Sequence, residues 1–395
     1  METARPEPPH ERVATGHLRQ RGGQRFCPPR REPPDVSKFL QQFIPTRRAA
    51  FAGGTLCVLL MAALSLQAQS GRTEPLNLAL PTENDAIFRG GGAEFYQHIV
   101  REFQGTTTYP WQGGQYGFVR NPQETGAGLV YRRFHEGLDI RPARRAPDGT
   151  PLDEVRAIAD GSVVHVNLVP SYSNYGKYVV VEHRWGGSPY YSLYGHLASV
   201  SVQVGNKVTR GEQLGILGFT GDGLDQARAH VHLELNLMLN RNFNSWHEAF
   251  FKNDPNRNGI YNGINLNGLD IARLYLALRK RPSLTIPEFL AEEEAFYRVT
   301  LPASKNFELP KRYPWLLRGS NAENAPAWEV SFNRAGIPLR ITPAQTLVTA
   351  PVVSYVKKRG GDYRHVTRGV IGGTAENPRL TESGQRLMRL LIWPD

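Results

Sequence analysis

The run AHVHLELNLML, residues 229–239, constrains the fold more tightly than any other stretch of the chain. Side chains along a strand alternate between two faces, so residues an even number apart share one. Read as a strand, it puts His230, His232 and Glu234 on one face and turns Val231, Leu233 and Leu235 into a core. Two imidazoles then stand side by side on the wall of a sheet. A lone His-x-His is more often structural than metal-binding, so the rest of the chain must decide what this pair does.

The surroundings favour strands and turns. Glycine and proline number 39 and 29, more than a helical protein would carry. From residue 111 to 240, segments such as EVRAIADGSVVHVNLV, YGKYVVVEHRW, PYYSLYGHL and VSVQVGNKVTRGEQLGILG read as short strands broken by turns. Residues 71–110 form a lead-in, with a helix expected over AEFYQHIVREF. Residues 241–300 turn helical. NGLDIARLYLALRK and IPEFLAEEEAFYRV carry apolar residues at three-to-four spacing. Residues 301–395 return to strands in AWEVSF, PLRITP, PVVSYVKK and RLMRLLIW, read as a small C-terminal β module. Lys357, Lys358, Arg359, Arg364 and Arg368 make that module basic, a run that either holds wall polymer or is simply a solvated hairpin. NDPNRNGIYNGIN brushes a calcium loop but has Asn265 where the last ligand should be, and reads as a turn.

Before residue 71 the sequence reads as an address. Arg47 and Arg48 precede an uncharged run whose apolar part is Leu56–Leu64, and Ala68-Gln69-Ser70 offers a small-x-small cleavage site. Residues 49–70 are therefore a signal peptide or a signal anchor, the run 49–68 being about long enough to span a membrane. Residues 1–48 are a polar, proline- and arginine-rich extension, and translation starting near Val36 would omit most of it. The net charge of +11 divides into +5 over residues 1–48 and +6 over the rest. That spread suits an anionic surface such as a cell wall and shows no dense nucleic-acid patch. Membrane contact is expected only through the N-terminal segment, if it stays uncleaved. Cys27 and Cys57 are the two cysteines, so beyond residue 57 there is neither disulfide nor thiolate ligand. A metal site there must use His, Asp or Glu.

FHEGLDI supplies His135 and Asp139, and YGHL supplies His196. HEGLD nearly matches the H-E-x-x-H zinc helix. Gly137 inside it and Pro142 just after it disfavour a helix, however. A strand end is expected, with Glu136 on the solvent side. A zinc site needs three N or O ligands and one open position. His135, Asp139 and one of His230 and His232 make such a set, leaving the other and His196 for acid–base work near neutral pH.

These segments occur together and in order, and in them the sequence resembles the lysostaphin or LytM-type zinc endopeptidases over about residues 111–240. The family's H-x-x-x-D appears as FHEGLDI, its V-x-A-x-x-x-G-x-V as VRAIADGSV and its G-x-x-V-x-I-x-H as GKYVVVEH. Its Y-x-H-L appears as YGHL, its glycine-rich segment as VTRGEQLGILG and its H-x-H-x-E as HVHLE. The resemblance implies a compact antiparallel β-sheet metallopeptidase domain with a groove over one zinc ion. It implies His135, Asp139 and His232 as the ligands and His196 and His230 as the catalytic pair. Tyr194 falls on the strand face of His196, so it either touches substrate or is packed. Three segments depart from the pattern: GLDQARA replaces the usual S-x-x-G-P before the paired histidines, GQYGFVRNP only approximates F-G-x-R, and RRAPDGTPLDEV is an insertion after Asp139.

The expectation is a mainly β, exported zinc metalloendopeptidase, periplasmic or extracellular, that hydrolyses peptidoglycan peptides with zinc-activated water. Two alternatives stand beside it: a secreted metallopeptidase acting on proteins, and a non-catalytic activator of a cell-wall amidase.

Overall fold

The computed structural model of the chain describes residues 75–97, 101–103, 106–108, 110–126, 128–319 and 325–394. The expected signal segment and polar extension lie outside these residues. Residues 71–395 cluster as one compact unit. Among the described residues no helix is long and apolar enough to cross a membrane.

The fold is mainly β and its named strands pair antiparallel, beginning with the short strands β1 (Arg101–Phe103) and β2 (Thr106–Thr108). Next come β3 (Gly117–Thr125), β4 (Gly128–His135), β5 (Leu138–Ile140), β6 (Glu154–Arg156) and β7 (Gly161–Asn167). The middle of the chain adds β8 (Tyr178–Trp185), β9 (Ser188–Gly195), β10 (Leu197–Val200), β11 (Lys207–Val208), β12 (Gln213–Leu217), β13 (Val231–Met238) and β14 (Leu266–Gly268).

The central sheet runs β11-β7-β8-β9-β13-β14, and β5 also pairs with β13. Strands β9 and β13 are buried along their whole length. Burial on both faces explains why β8 reads YVVV without alternation. Val179 and Val181 enter the main core, while Tyr178 and Val180 pack with Tyr191, Leu193, Met238 and Leu266 on the other face.

The helix expected over residues 93–103 is absent from the described part of that segment. Tyr96 bridges Ile140, and the Gln97 N–H donates to the Asp139 carbonyl at 2.9 Å. Residues 101–103 are β1. Backbone pairing with β5 wins over local helical spacing.

Beyond β14, helices Ile271–Lys280 and Ile286–Ala291 form as their capping residues suggest, Asp270 for the first and a Thr285/Glu288 capping box for the second. The second helix is shorter than expected. Tyr297, Val299 and Leu301 turn instead into β15 (Tyr297–Pro302), where they are buried together with Thr300. That strand is central in a sheet ordered β17-β16-β15-β18, where β16 is Ala327–Phe332, β17 Pro338–Ala344 and β18 Val352–Val356. A last hairpin joins Ile371–Gly373 to Pro378–Leu380.

RLMRLLIW, expected as a strand, is the body of helix Glu382–Ile392. Thr381 caps it by accepting from the Gly384 N–H; Gly384, Met388, Leu391 and Ile392 lie buried at helical spacing, and Leu390 is buried beside them. The density of apolar residues concealed that period. This helix packs on the Phe243–Phe250 helix, where the Trp246 indole N–H donates to the Arg386 carbonyl at 3.0 Å.

Candidate metal centre

The middle of the central sheet brings the five expected site residues together. Asp139 on β5 lies opposite His232 on β13, and Gly195 at the end of β9 pairs with His232 from the other side. His135 ends β4. Between it and Asp139 the chain turns at Gly137, where a Cβ would stand 2.3 Å from the Leu233 carbonyl oxygen. The strand-end reading of HEGLD holds, because no side chain fits that turn. Glu136 is half-buried and ion-paired with Arg368 at 2.6 Å, so the C-terminal module covers what the sequence placed in solvent.

Three donor atoms converge. His232 Nδ1 is 2.9 Å from Asp139 Oδ1 and 3.1 Å from His135 Nε2. The third edge, His135 Nε2 to Asp139 Oδ1, is 3.1 Å. Tetrahedral ligands at 2.0–2.1 Å from zinc sit roughly 3.3 Å apart, so the triangle needs little adjustment to hold the ion.

The outward atoms confirm the fit. The His135 Nδ1–H donates to the Gln115 carbonyl at 2.8 Å, leaving the Nε2 lone pair facing inward. The His232 Nε2–H donates to Glu234 Oε1 at 2.8 Å, leaving Nδ1 inward. Arg120 binds the outer oxygen of Asp139 and leaves Oδ1 for the centre. Each ligand is thus oriented by a second hydrogen bond, as metal sites require.

The electrostatics also suit a cation. Burial alone would lower the His232 imidazole. Its hydrogen bonds to Asp139 and Glu234, with their charges, outweigh burial and push it up to about 9. Burial would raise Asp139, but His135, His230 and Arg120 hold it well below the usual carboxylate range.

His196 and His230 flank the triangle, their ring centres 4.6 Å apart. The His196 Nδ1–H donates to the Thr220 carbonyl at 2.8 Å, and the His230 Nδ1–H to the Arg228 carbonyl at 2.7 Å. Each ring thus commits its Nδ1 edge to the backbone and leaves Nε2 on the other side, and that of His230 lies 3.3 Å from Asp139 Oδ1. Burial, then the charges of His230 and His232, hold His196 well below the ordinary histidine range, in the neutral form a base needs. Gly218 brings the two together: it bridges His230, and its backbone lies so close to Ala198 and His196 that a Cβ would clash with both.

Tyr194 requires a correction. It is fully buried, and its hydroxyl accepts from the Ile158 N–H at 2.8 Å and from the Ser192 hydroxyl at 2.9 Å. It is a packed tyrosine and does not line the groove. The alternation linking it to His196 fails because His196 has φ of 62°, a left-handed conformation that reverses the chain's facing.

Sequence reasoning gave no role to Glu234, Asn236 or Tyr175. Glu234 is fully buried and accepts from Tyr175 Oη at 2.8 Å and Asn236 Nδ2 at 2.9 Å, besides His232. The strand alternation already placed Glu234 and Asn236 on the histidine face. Tyr175 comes from a loop and carried no signal. Glu234→Gln keeps the shape but turns an amide NH2 toward one of these donors. It is expected to weaken zinc binding roughly 10–100-fold, measured by competition with a chromophoric chelator. Wild-type affinity in the variant would mean that the backbone alone orients His232.

Residues 133–244 match the model of peptidase family M23, the interval that holds all five site residues. The chain carries a peptidase family M23 domain. It is 32% identical over 165 residues to the cell division protein DipM of Caulobacter vibrioides, covering 42% of this chain and 22% of DipM. It is 36% identical over 101 residues to the peptidoglycan DD-endopeptidase ShyA of Vibrio cholerae, covering 26% of this chain and 20% of ShyA. The murein hydrolase activator EnvC of Escherichia coli is 39% identical over 90 residues, covering 23% of this chain and 19% of EnvC. The chain thus spans about a fifth of the length of each of these relatives.

Proposed function

We propose that this chain is an exported zinc metalloendopeptidase that hydrolyses peptide bonds of peptidoglycan. The observation that carries the reading is the convergence of His135 Nε2, Asp139 Oδ1 and His232 Nδ1, with two further imidazole Nε2 atoms beside them. Bound by these three residues, zinc would supply Lewis-acid polarisation of the scissile carbonyl and acidify water. His196 and His230 then do the proton work. One accepts the proton of the attacking water and returns it to the leaving amine. The other, once protonated, donates a hydrogen bond to the oxygen on which negative charge develops. Peptidoglycan as substrate rests on the similarity to the peptidoglycan DD-endopeptidase ShyA and the murein hydrolase activator EnvC, and export on the N-terminal signal-like sequence.

The similar EnvC is a murein hydrolase activator, so a non-catalytic role is the competing outcome. The complete site favours hydrolysis. The test measures zinc content and muropeptide release for the wild type and His230→Ala. The wild type is expected to hold one zinc and digest purified wall. The variant is expected to keep its zinc and lose about 100- to 1,000-fold in rate. Wild type that binds zinc or not, yet releases nothing from the wall, would overturn the endopeptidase reading.

A further inference from the structure

The groove over the metal centre is cationic in a way that metal binding does not require. Its lining includes Arg120, Arg132, Arg133, Arg228 and Arg368 against Glu136, Asp139 and Asp222. The two carboxylates flanking Gly137 are already engaged. Asp139 gives its outer oxygen to Arg120, and Glu136 is paired with Arg368. Arg368 also lies over the Phe134 ring, 4.8 Å from its centre. The C-terminal module therefore neutralises the carboxylate next to the ligand His135.

Of the two adjacent exposed arginines of β4, Arg132 and Arg133, the second is the one in step with His135. It sits on β4 two residues before His135, so the two share a face, about 7 Å apart along the strand. The register gives the same answer independently: Arg133 lies directly opposite Arg120 on β3, and Arg120 reaches Asp139 on the metal side. Like charges directly opposite on a sheet destabilise it. Arg120 is relieved by Asp139, whereas Arg133 is exposed and has no anionic partner among the described residues. A charge conflict left standing beside a metal centre is the kind of local violation expected at a functional site.

We propose that Arg133 binds a carboxylate of the substrate, so that this site selects acidic peptides. The carboxylate would lie one or two residues from the scissile bond, the distance from Arg133 to His135 along an extended peptide. A guanidinium meets such a group through two parallel hydrogen bonds, which an amide cannot return. The inference rests on the endopeptidase reading above.

The test uses the full chain loaded with zinc and two probes. One is the purified cross-linked muropeptide dimer with its peptide carboxylates free. The other is the same dimer after carbodiimide amidation with ammonia. Both hydrolysis and equilibrium binding are measured. The wild type should prefer the free dimer by about tenfold or more in kcat/KM. Arg133→Ala should lose that preference by slowing only on the free dimer, and Arg133→Lys should keep part of it. The same free-to-amidated ratio in the wild type and Arg133→Ala would overturn the proposal. If the wild type hydrolyses neither dimer, the endopeptidase reading falls. The binding ratio then decides Arg133 alone, and equal binding of the two dimers refutes its role.

Discussion

Asp139→Asn is expected to empty the metal centre and bring hydrolysis to background. Asp139 is the hub of the site: its Oδ1 lies 2.9 Å from His232 Nδ1, 3.1 Å from His135 Nε2 and 3.3 Å from His230 Nε2. Its Oδ2 meets the Arg120 guanidinium. An asparagine cannot serve both sides. With its oxygen inward, the amide NH2 faces the donors of Arg120. Flipped, the NH2 points at the nitrogens that should hold the ion. The change also removes the one negative charge among the three ligands while Arg120 remains beside them. Breaking a buried charge pair from one side costs about 3–5 kcal/mol, so zinc affinity should fall roughly a hundred- to several-thousand-fold. Zinc per chain after dialysis, and calorimetric titration of the stripped protein, measure it. An asparagine variant that emerges from dialysis with one zinc and wild-type affinity would show that the histidines suffice.

How far the sequence foretold this site depends on the kind of information each residue carries. His230, His232 and Glu234 were legible as one face of a strand because alternation is a local rule, and β13 obeys it without a bulge. Asp139 and His135 were legible as a strand end because Gly137 and Pro142 both resist helix. Tyr194 was misplaced because the same alternation was carried through His196, whose positive φ breaks it. No residue type announces that break. Tyr175 was missed because it reaches Glu234 from a loop, where contact is set by the tertiary path alone.

The same contrast runs through the fold. Strands β7, β8, β9 and β13 were visible in their β-branched and aromatic runs. The helix at Glu382–Ile392 was read as a strand because Leu390, Leu391 and Ile392 are buried in an unbroken run and half-buried Leu387 adjoins buried Met388, which hides the helical period. The lead-in at Tyr96 was read as a helix because its partner, Ile140, lies more than forty residues on and only the folded sheet brings them together. The pairing of Arg368 with Glu136 is longer-range still. The basic run of the C-terminal module suggested a wall-polymer contact or a solvated hairpin, and at Arg368 it meets the peptidase groove instead.

Gly137→Ala is expected to damage both stability and metal binding, although it adds a single methyl. Its Cβ would lie 2.3 Å from the Leu233 oxygen and 2.8 Å from Glu234 Cγ. The first contact is with backbone, so no side-chain rotation relieves it. The chain between His135 and Asp139 must then back away from β13. The pairs Leu138–Leu233 and Asp139–His232 are what hold it there. Overpacking of this kind costs about 3 kcal/mol, a fall in melting temperature of roughly 6–12 °C. Bound metal raises the melting temperature on its own account, so the comparison is made twice. In excess chelator, the difference between variant and wild type reports packing alone. With saturating zinc the gap should widen, because the displaced backbone carries two ligands out of register with His232. A gap of the expected size in chelator that closes on adding zinc would mean the ion pulls the turn back. A variant that melts with the wild type in both conditions would show that β5 has room to shift, and that glycine here is not what sets the spacing of the ligands.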